Sequence, residues 1–294
     1  MYGIQPRFEE DNLTSYRDLK TGELLSVEEH VHLERIFMAG KGREDNFVDA
    51  VSGQPLQSSL VKAARATELK YFEDKRVWEK RPYGEAHNRT GKRPITVKWI
   101  DTNKGDDENP NYRSRLVARE IRKHGEDPIF APTPPLESLR TILSLAATDI
   151  DGAKKRVRDP KSPERTQVSF IDISRAYFCA CTDPNDPSYV ELPMEDKDYG
   201  NKCGMLLKHM YGARQAADGW HCEYAGQLVN TLGFEVGDAS ACVFHHKEKD
   251  LRASVHGDDL TAVGEKWNLD WYKLELEKLY ELKELARIGP YAST

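Results

Sequence analysis

Residues 253 to 263, Ala-Ser-Val-His-Gly-Asp-Asp-Leu-Thr-Ala-Val, set two adjacent carboxylates, Asp258 and Asp259, between two short apolar runs. The apolar flanks predict two strands, and Gly257 followed by Asp predicts the tight turn that joins them. An ordinary surface hairpin satisfies the same pattern. A second pair, Asp106-Asp107, follows Gly105 without apolar flanks, so the dipeptide alone carries no function. A third carboxylate arriving by another strand changes that, because ionised side chains seldom alternate with apolar ones unless they are paired or hold a metal. The stretch Gln167 to Ile173 supplies it. In a strand there, Val168, Phe170 and Asp172 share one face, and Ser169, Ile171 and Ile173 share the other.

The chain has 294 residues, 38% hydrophobic and 31% charged, enough for one large domain or two small ones. A formal net charge of -6 excludes polyanion binding by the whole surface, so a nucleic-acid partner has to be held by local basic patches. No stretch is long and apolar enough to predict a membrane span, and the acidic start with Glu9, Glu10 and Asp11 has no signal core. An intracellular chain, cytoplasmic or nuclear and not secreted, is expected. Cys179, Cys181, Cys203, Cys222 and Cys242, with His245 and His246, contain no pair at the two-residue gap of structural zinc sites. They read as buried free thiols, with a zinc site as the weaker alternative. Nothing in the sequence specifies an oligomeric state.

Residues 1–58 are polar and weakly patterned, with a short helical stretch around Val27 to Met38, and read as a loosely ordered leader. Leu60, Ala63, Ala64, Thr67 and Phe72 recur at helical spacing and predict the first packed helix. Residues 91–123 read as a hairpin whose arms carry Lys92, Arg93, Lys98, Lys104, Arg113, Arg115, Arg119, Arg122 and Lys123. Such charges make either a solvated face or a phosphate-gripping surface. A proline-rich connector from Phe130 leads to an amphipathic helix at Leu136 to Ala147, then to a charged loop at 149–166 with a basic patch at Lys154 to Arg158. A strand at 203–211 precedes a helix whose stripe is Trp220, Tyr224, Leu228 and Leu232, capped by Gly233. Leu269, Tyr272, Leu276, Leu279 and Leu282 predict a last amphipathic helix.

One Asp from a strand and two from a hairpin turn match what a paired-magnesium phosphoryl-transfer site requires. Magnesium takes hard oxygen ligands and keeps water and substrate phosphates as the rest. Clustered carboxylates repel one another, and a cation compensates for that repulsion.

Over roughly residues 60–290 the chain resembles the reverse transcriptase of copia-type retrotransposons. Lys98-Trp99-Ile100 and the run from Tyr112 to Arg119 resemble its fingers hairpin, and Phe130-Ala-Pro with Leu139 to Ala147 its next block. The run Asp172-Ile-Ser-Arg-Ala-Tyr-Phe resembles the first catalytic motif. Leu207 to Trp220 resembles the second, and His256-Gly-Asp-Asp-Leu the third. The resemblance implies an α+β fold, a right-hand polymerase of fingers and palm with an antiparallel palm sheet backed by helices. Residues 59–166 would be fingers-like and 167–294 palm-like, with no thumb, ribonuclease H or integrase segment before the end at Thr294.

It implies that Asp172 and Asp258 bind two magnesium ions, with manganese as an alternative, and that Asp259 supports them. Tyr177 takes the place of the bulky residue that excludes a ribose 2'-hydroxyl, unless it serves packing alone. By the same resemblance Arg113 and Arg115 would hold the triphosphate, and Gln215 would contact nucleotide or template. The implied partners are an RNA or DNA template with its primer and deoxynucleoside triphosphates. His256 and Gly257 replace the family's aromatic and aliphatic residues, and Ala217 its proline. Two other readings remain, an inactive remnant that at most binds nucleic acid and another magnesium-dependent nucleotidyl transferase or nuclease.

Overall fold

The computed structural model describes residues 4–9, 12–18, 24–26, 47–106, 108–120, 132–147 and 166–289. The helix expected at 27–38, the start of the connector at 130–131, the charges at 122–123, and the loop at 149–165 with its basic patch lie outside these residues.

Five short strands come first: β1 (Ile4–Glu9), β2 (Asn12–Asp18), β3 (Leu24–Ser26), β4 (Phe47–Val48) and β5 (Pro55–Leu56). Then follow α1 (Ser58–Asp74), β6 (Trp78–Pro82), α2 (Tyr83–Thr90), β7 (Val97–Asn103), β8 (Tyr112–Ala118) and α3 (Leu136–Ala147). Next come β9 (Thr166–Ile173), a 3-10 turn (Ala176–Cys179), β10 (Tyr189–Glu191), β11 (Lys202–Leu206) and α4 (Ala216–Gly226) with a π-helical extension (Gln227–Thr231). The last elements are β12 (Glu235–Gly237), β13 (Ser240–His246), β14 (Leu251–His256), β15 (Asp259–Glu265), α5 (Lys266–Leu279) and β16 (Leu282–Ile288). Helices are mixed with antiparallel sheets, and the chain divides into two compact units.

The smaller unit comprises residues 1–67 and 100–115. Its β1, β2 and β3 form a three-stranded antiparallel sheet inside the segment that reads as a leader, and β4 pairs with β5. Asp101 organises the rest. Its buried carboxylate accepts from the Arg65 guanidinium at 2.6 Å and from the Ser114 hydroxyl at 2.6 Å, so the charge is paired and hydrogen-bonded as burial demands. Arg113 and Arg115 occupy the exposed positions of β8, on either side of buried Ser114.

The larger unit, residues 68–99 and 116–294, is built on a six-stranded antiparallel sheet in the order β12-β13-β14-β15-β9-β16. One face is covered by α4 and α5. There Trp220, Tyr224, Leu228, Leu269, Tyr272 and Leu276 meet Ile171, Phe244, Val255, Leu260 and Ala262. Each large side chain buried this fully contributes roughly 1.5–3 kcal/mol relative to exposure. The opposite face takes α3, through Ile142 against Val168 and Val263. A second core gathers Phe72, Trp78, Phe178, Val190, Leu206 and Met210 around the β10-β11-β6 sheet.

The stripe Trp220, Tyr224, Leu228, Leu232 is buried as its spacing predicts, although each i to i+4 step overshoots an α-helical turn by about 40°. The π-helical turn at Gln227–Thr231 has more residues per turn, so it reverses that drift and keeps Leu228 and Leu232 on the core face. Gly233, with φ +76°, closes the segment.

Two expectations fail. Leu282 is not on the last helix, because Tyr280 turns extended at φ -135° and ψ 150°, and Leu282–Ile288 becomes the edge strand β16. The cysteines are not uniformly buried: Cys203 and Cys242 are, while Cys181 and Cys222 are exposed. No described helix is long and apolar enough to cross a membrane.

Candidate active site

The site begins with strand register. Asp259 is the direct partner of Asp172 across the β15-β9 ladder, and two pairs further Thr261 faces Phe170. Partners in a ladder share a face, so Asp172 and Asp259 stand together, in the same row as Val168 and Phe170 under α3. On the outer side of β15, His256 of β14 pairs with Asp259, and on the outer side of β9, Lys283 of β16 pairs with Asp172. Four polar side chains thus cross the sheet in one row: His256, Asp259, Asp172 and Lys283.

The turn between β14 and β15 consists of Gly257 and Asp258 alone. Gly257 takes φ +64° while Asp258 stays out of the left-handed region, the pattern of a two-residue turn with glycine first. Two hydrogen bonds hold it. The Trp220 indole N–H donates to the Gly257 carbonyl at 2.7 Å, and the Ile173 backbone N–H donates to the Asp258 carbonyl at 2.9 Å. The second bond ties the acidic turn to the residue after Asp172. The first anchors it to the buried face of α4, where Trp220 also meets Tyr224 and Tyr280 edge-on.

Charge crowding follows. Partial burial of the Asp259 carboxyl, then the charges of Asp258 and Asp172, push it above the ordinary carboxylate range, with His256 pulling the other way. Asp258 also acts on Tyr177, whose phenol is raised by burial first and by the Asp258 charge second. Tyr177 is therefore close enough to the acidic turn to sense it. Among the described residues, Asp218, His221 and Cys222 bring three ligand atoms within 4.8 Å of one another, whereas the three aspartates form a more open set.

Tyr177 is placed by an unusual backbone. Arg175 adopts φ +51°, a left-handed conformation that costs a non-glycine residue, and this turns the chain from β9 into the 3-10 turn. Its guanidinium is held by buried Glu68, at 2.9 Å, and lies 3.9 Å above the Tyr71 ring. The Tyr177 ring then meets Tyr211 edge-on at 4.9 Å. Behind Tyr211, Gly212 has φ +80°, and a Cβ there would come 2.0 Å from the Ala118 carbonyl. Gly219 is equally constrained, since its Cβ would strike the buried His209 ring at 2.2 Å. Both glycines of the second motif are packing requirements.

Of the remaining expected residues, Gln215 occupies the N-cap position of α4 and reaches Asp186 at 3.4 Å, so it is linked to the acidic turn through its helix. Arg113 and Arg115 belong to the smaller unit. Sequence reading missed Lys283, which it placed beyond a helix, and the Glu68-Arg175 pair, which no motif connects.

A family described as reverse transcriptase (RNA-dependent DNA polymerase) matches residues 82–293. The chain belongs to that reverse transcriptase family. Its relatives come from plant copia-type transposons. It is 26% identical over 254 residues to the retrovirus-related Pol polyprotein from transposon TNT 1-94 of Nicotiana tabacum, covering 83% of this chain and 17% of that protein. With the Pol polyprotein from transposon RE1 of Arabidopsis thaliana it shares 26% identity over 223 residues, 72% of this chain and 14% of that one. The chain thus spans less than a fifth of the polyproteins it matches. Among solved structures, the foamy viral protease-reverse transcriptase in complex with double-stranded DNA aligns with a TM-score of 0.39 and 12% identity, covering 76% of this chain and 30% of that chain.

Proposed function

We propose that this reverse transcriptase-family chain is the fingers and palm of an RNA-directed DNA polymerase, adding deoxynucleotides to a primer held on an RNA or DNA template. In this reading residues 59–166 are fingers-like, 167–294 palm-like, and 1–58 a leader. The observation that carries it is the pairing of Asp172 with Asp259 across one ladder, with Asp258 in the turn tied to Ile173.

The donor set fits magnesium on its own chemistry: three carboxylates, and an Asp259 carboxyl raised by partial burial and then by its neighbours' charges. Asp172 and Asp258 would hold two magnesium or manganese ions, with Asp259 supporting them. Such ions, when bound, activate the attacking hydroxyl and stabilise the leaving oxygen. The protein's own part is positioning. Trp220 and Ile173 fix the turn so that the carboxylates are oriented before substrate arrives, which lowers the entropic share of the barrier. Tyr177, braced by Tyr211 and by the Arg175 turn, places a ring beside Asp258, where a ribose 2'-hydroxyl would meet it. Arg113 and Arg115 bind the triphosphate through charge, and Gln215 contacts nucleotide or template.

Template-directed primer extension tests this. Incorporation that needs magnesium or manganese and disappears in the Asp258→Asn, Asp259→Asn double variant is the expected result. Equal extension by that variant would sink the assignment. Salt-sensitive nucleic-acid binding without incorporation under either metal would leave a binding role only.

A further inference from the structure

The exposed side of α4 carries a second group of ligating atoms with different chemistry. Asp218, His221 and Cys222 follow one another at i, i+3 and i+4, neighbouring positions on a helix face, and one ligand atom from each lies within 4.8 Å of the others. The side chains of Asp218 and Cys222 make no hydrogen bond or ion pair with another described residue. His221 has a partner on one nitrogen only: its Nε2 lies 3.3 Å from the Ala241 carbonyl. A carbonyl accepts and cannot donate, so in the neutral imidazole Nε2 carries the proton and Nδ1 keeps its lone pair. That arrangement orients metal-bound histidines, because the outer hydrogen bond selects the tautomer and makes the other nitrogen more basic.

We infer that Asp218, His221 and Cys222 form a site for a borderline-soft divalent cation of the zinc class. Sulfur and imidazole exclude magnesium, which takes oxygen. Three protein ligands leave a fourth position for water, the coordination of an open zinc site. Zinc holds its ligands at roughly 2.0–2.3 Å, so they must close in slightly from their present spacing, and exposed Cys222 has the rotamer freedom to do so. On binding, the sulfur–metal bond forms as the thiol proton leaves to solvent, so occupancy rises with pH. The site lies on the helix that holds the acidic turn through Trp220, but its ligands are distinct from the three aspartates and require no polymerase activity.

Cobalt titration of the full chain under reducing conditions gives the test. A tetrahedral cobalt site with thiolate shows visible d–d bands and a near-ultraviolet sulfur-to-cobalt charge-transfer band, and zinc should bleach both. Cys222→Ser should abolish the charge-transfer band. His221→Ala and Asp218→Asn should each weaken binding by more than roughly tenfold, the scale of outer-shell losses. Cys181→Ser, which removes the other exposed thiol, should leave the spectrum unchanged. Far-ultraviolet circular dichroism confirms that each variant is folded. A band that survives Cys222→Ser, a band lost in Cys181→Ser, or cobalt bound without any charge-transfer band would overturn the proposal.

Discussion

The turn at Asp49 and the turn at Gly257-Asp258 both set carboxylates beside short strands, and they treat the negative charge in opposite ways. At Asp49 the backbone surrounds the charge with donors. Ser52 and Val51 donate to Oδ1, both at 2.8 Å, and Asn103 donates to Oδ2 at 2.7 Å. These N–H groups, Ser52 first, then Asn103 and Val51, hold the carboxyl down at about 2. Asp106 is likewise answered locally, by the N–H groups of Glu108 at 3.0 Å and Asn109 at 2.6 Å. At the other turn the side chains meet one another's charge, and one of the two ladder partners of Asp259 is another carboxylate, the other being His256. A satisfied acidic turn is finished when the chain folds. On the proposed function, a crowded one would be completed by a cation.

The largest effect that would break this contrast is on primer extension. Asp172→Asn or Asp258→Asn should lower the incorporation rate by roughly a thousandfold, several kcal/mol of transition-state stabilisation, without loss of thermal stability. Asp49→Asn should leave the rate per folded molecule unchanged. Next comes Trp220→Phe. It leaves the Gly257 carbonyl without its donor, and denaturant titration should report a loss of about 1–3 kcal/mol.

The pH dependence separates the two turns by sign. The Asp49 carboxyl is held below its ordinary 3.8, so the stability it contributes is full above that value and is lost as pH falls from 3.8 to about 2. Asp49→Asn should therefore lower the thermal midpoint by several degrees at neutral pH, and the difference from the parent should vanish in that acid window. For Asp259 the pKa is raised, so its favourable contribution is present below 3.8 and is lost as pH rises through the folded value. The smallest effect follows from this. In chelator at neutral pH, Asp259→Asn should raise the midpoint slightly, and magnesium should raise the midpoint of the parent more than that of the variant. A drop in the midpoint of Asp259→Asn would mean that this carboxylate, too, is answered by the fold.

Much of the larger unit was legible because its periodicities are clean. The alternation of Val168, Phe170 and Asp172 predicted the strand and its face, and the ladder to β15 follows that alternation. Gly257 announced the hairpin, and the stripe from Trp220 announced its helix. Other features were hidden for physical reasons. The strand that carries Lys283 was hidden because Leu282 extends an i, i+3 series of the preceding helix, and only the extended backbone at Tyr280 breaks it. Arg175 carries no sequence mark of a left-handed residue, since glycine or asparagine would be expected there, and its tie to Glu68 spans 107 residues. His221 and Cys222 lack the two-residue gap of structural zinc sites, because a helix brings side chains together at three and four residues instead. At the N-terminal end the alternation of Ile4, Pro6 and Phe8 with Gln5, Arg7 and Glu9 is short and is followed by strands without it.

The transverse row His256, Asp259, Asp172, Lys283 draws one residue from each of four strands, so it exists only while three ladders keep their count. Inserting or deleting a single residue within β15 would carry Asp259 to the helix-covered face and Leu260 to the open one. Such a change preserves composition, charge and length almost completely and still turns the acidic cluster inside out. Length variation among chains of this kind should therefore collect in the connecting loops, while the interiors of β9, β14 and β15 keep their length even in copies whose side chains have drifted.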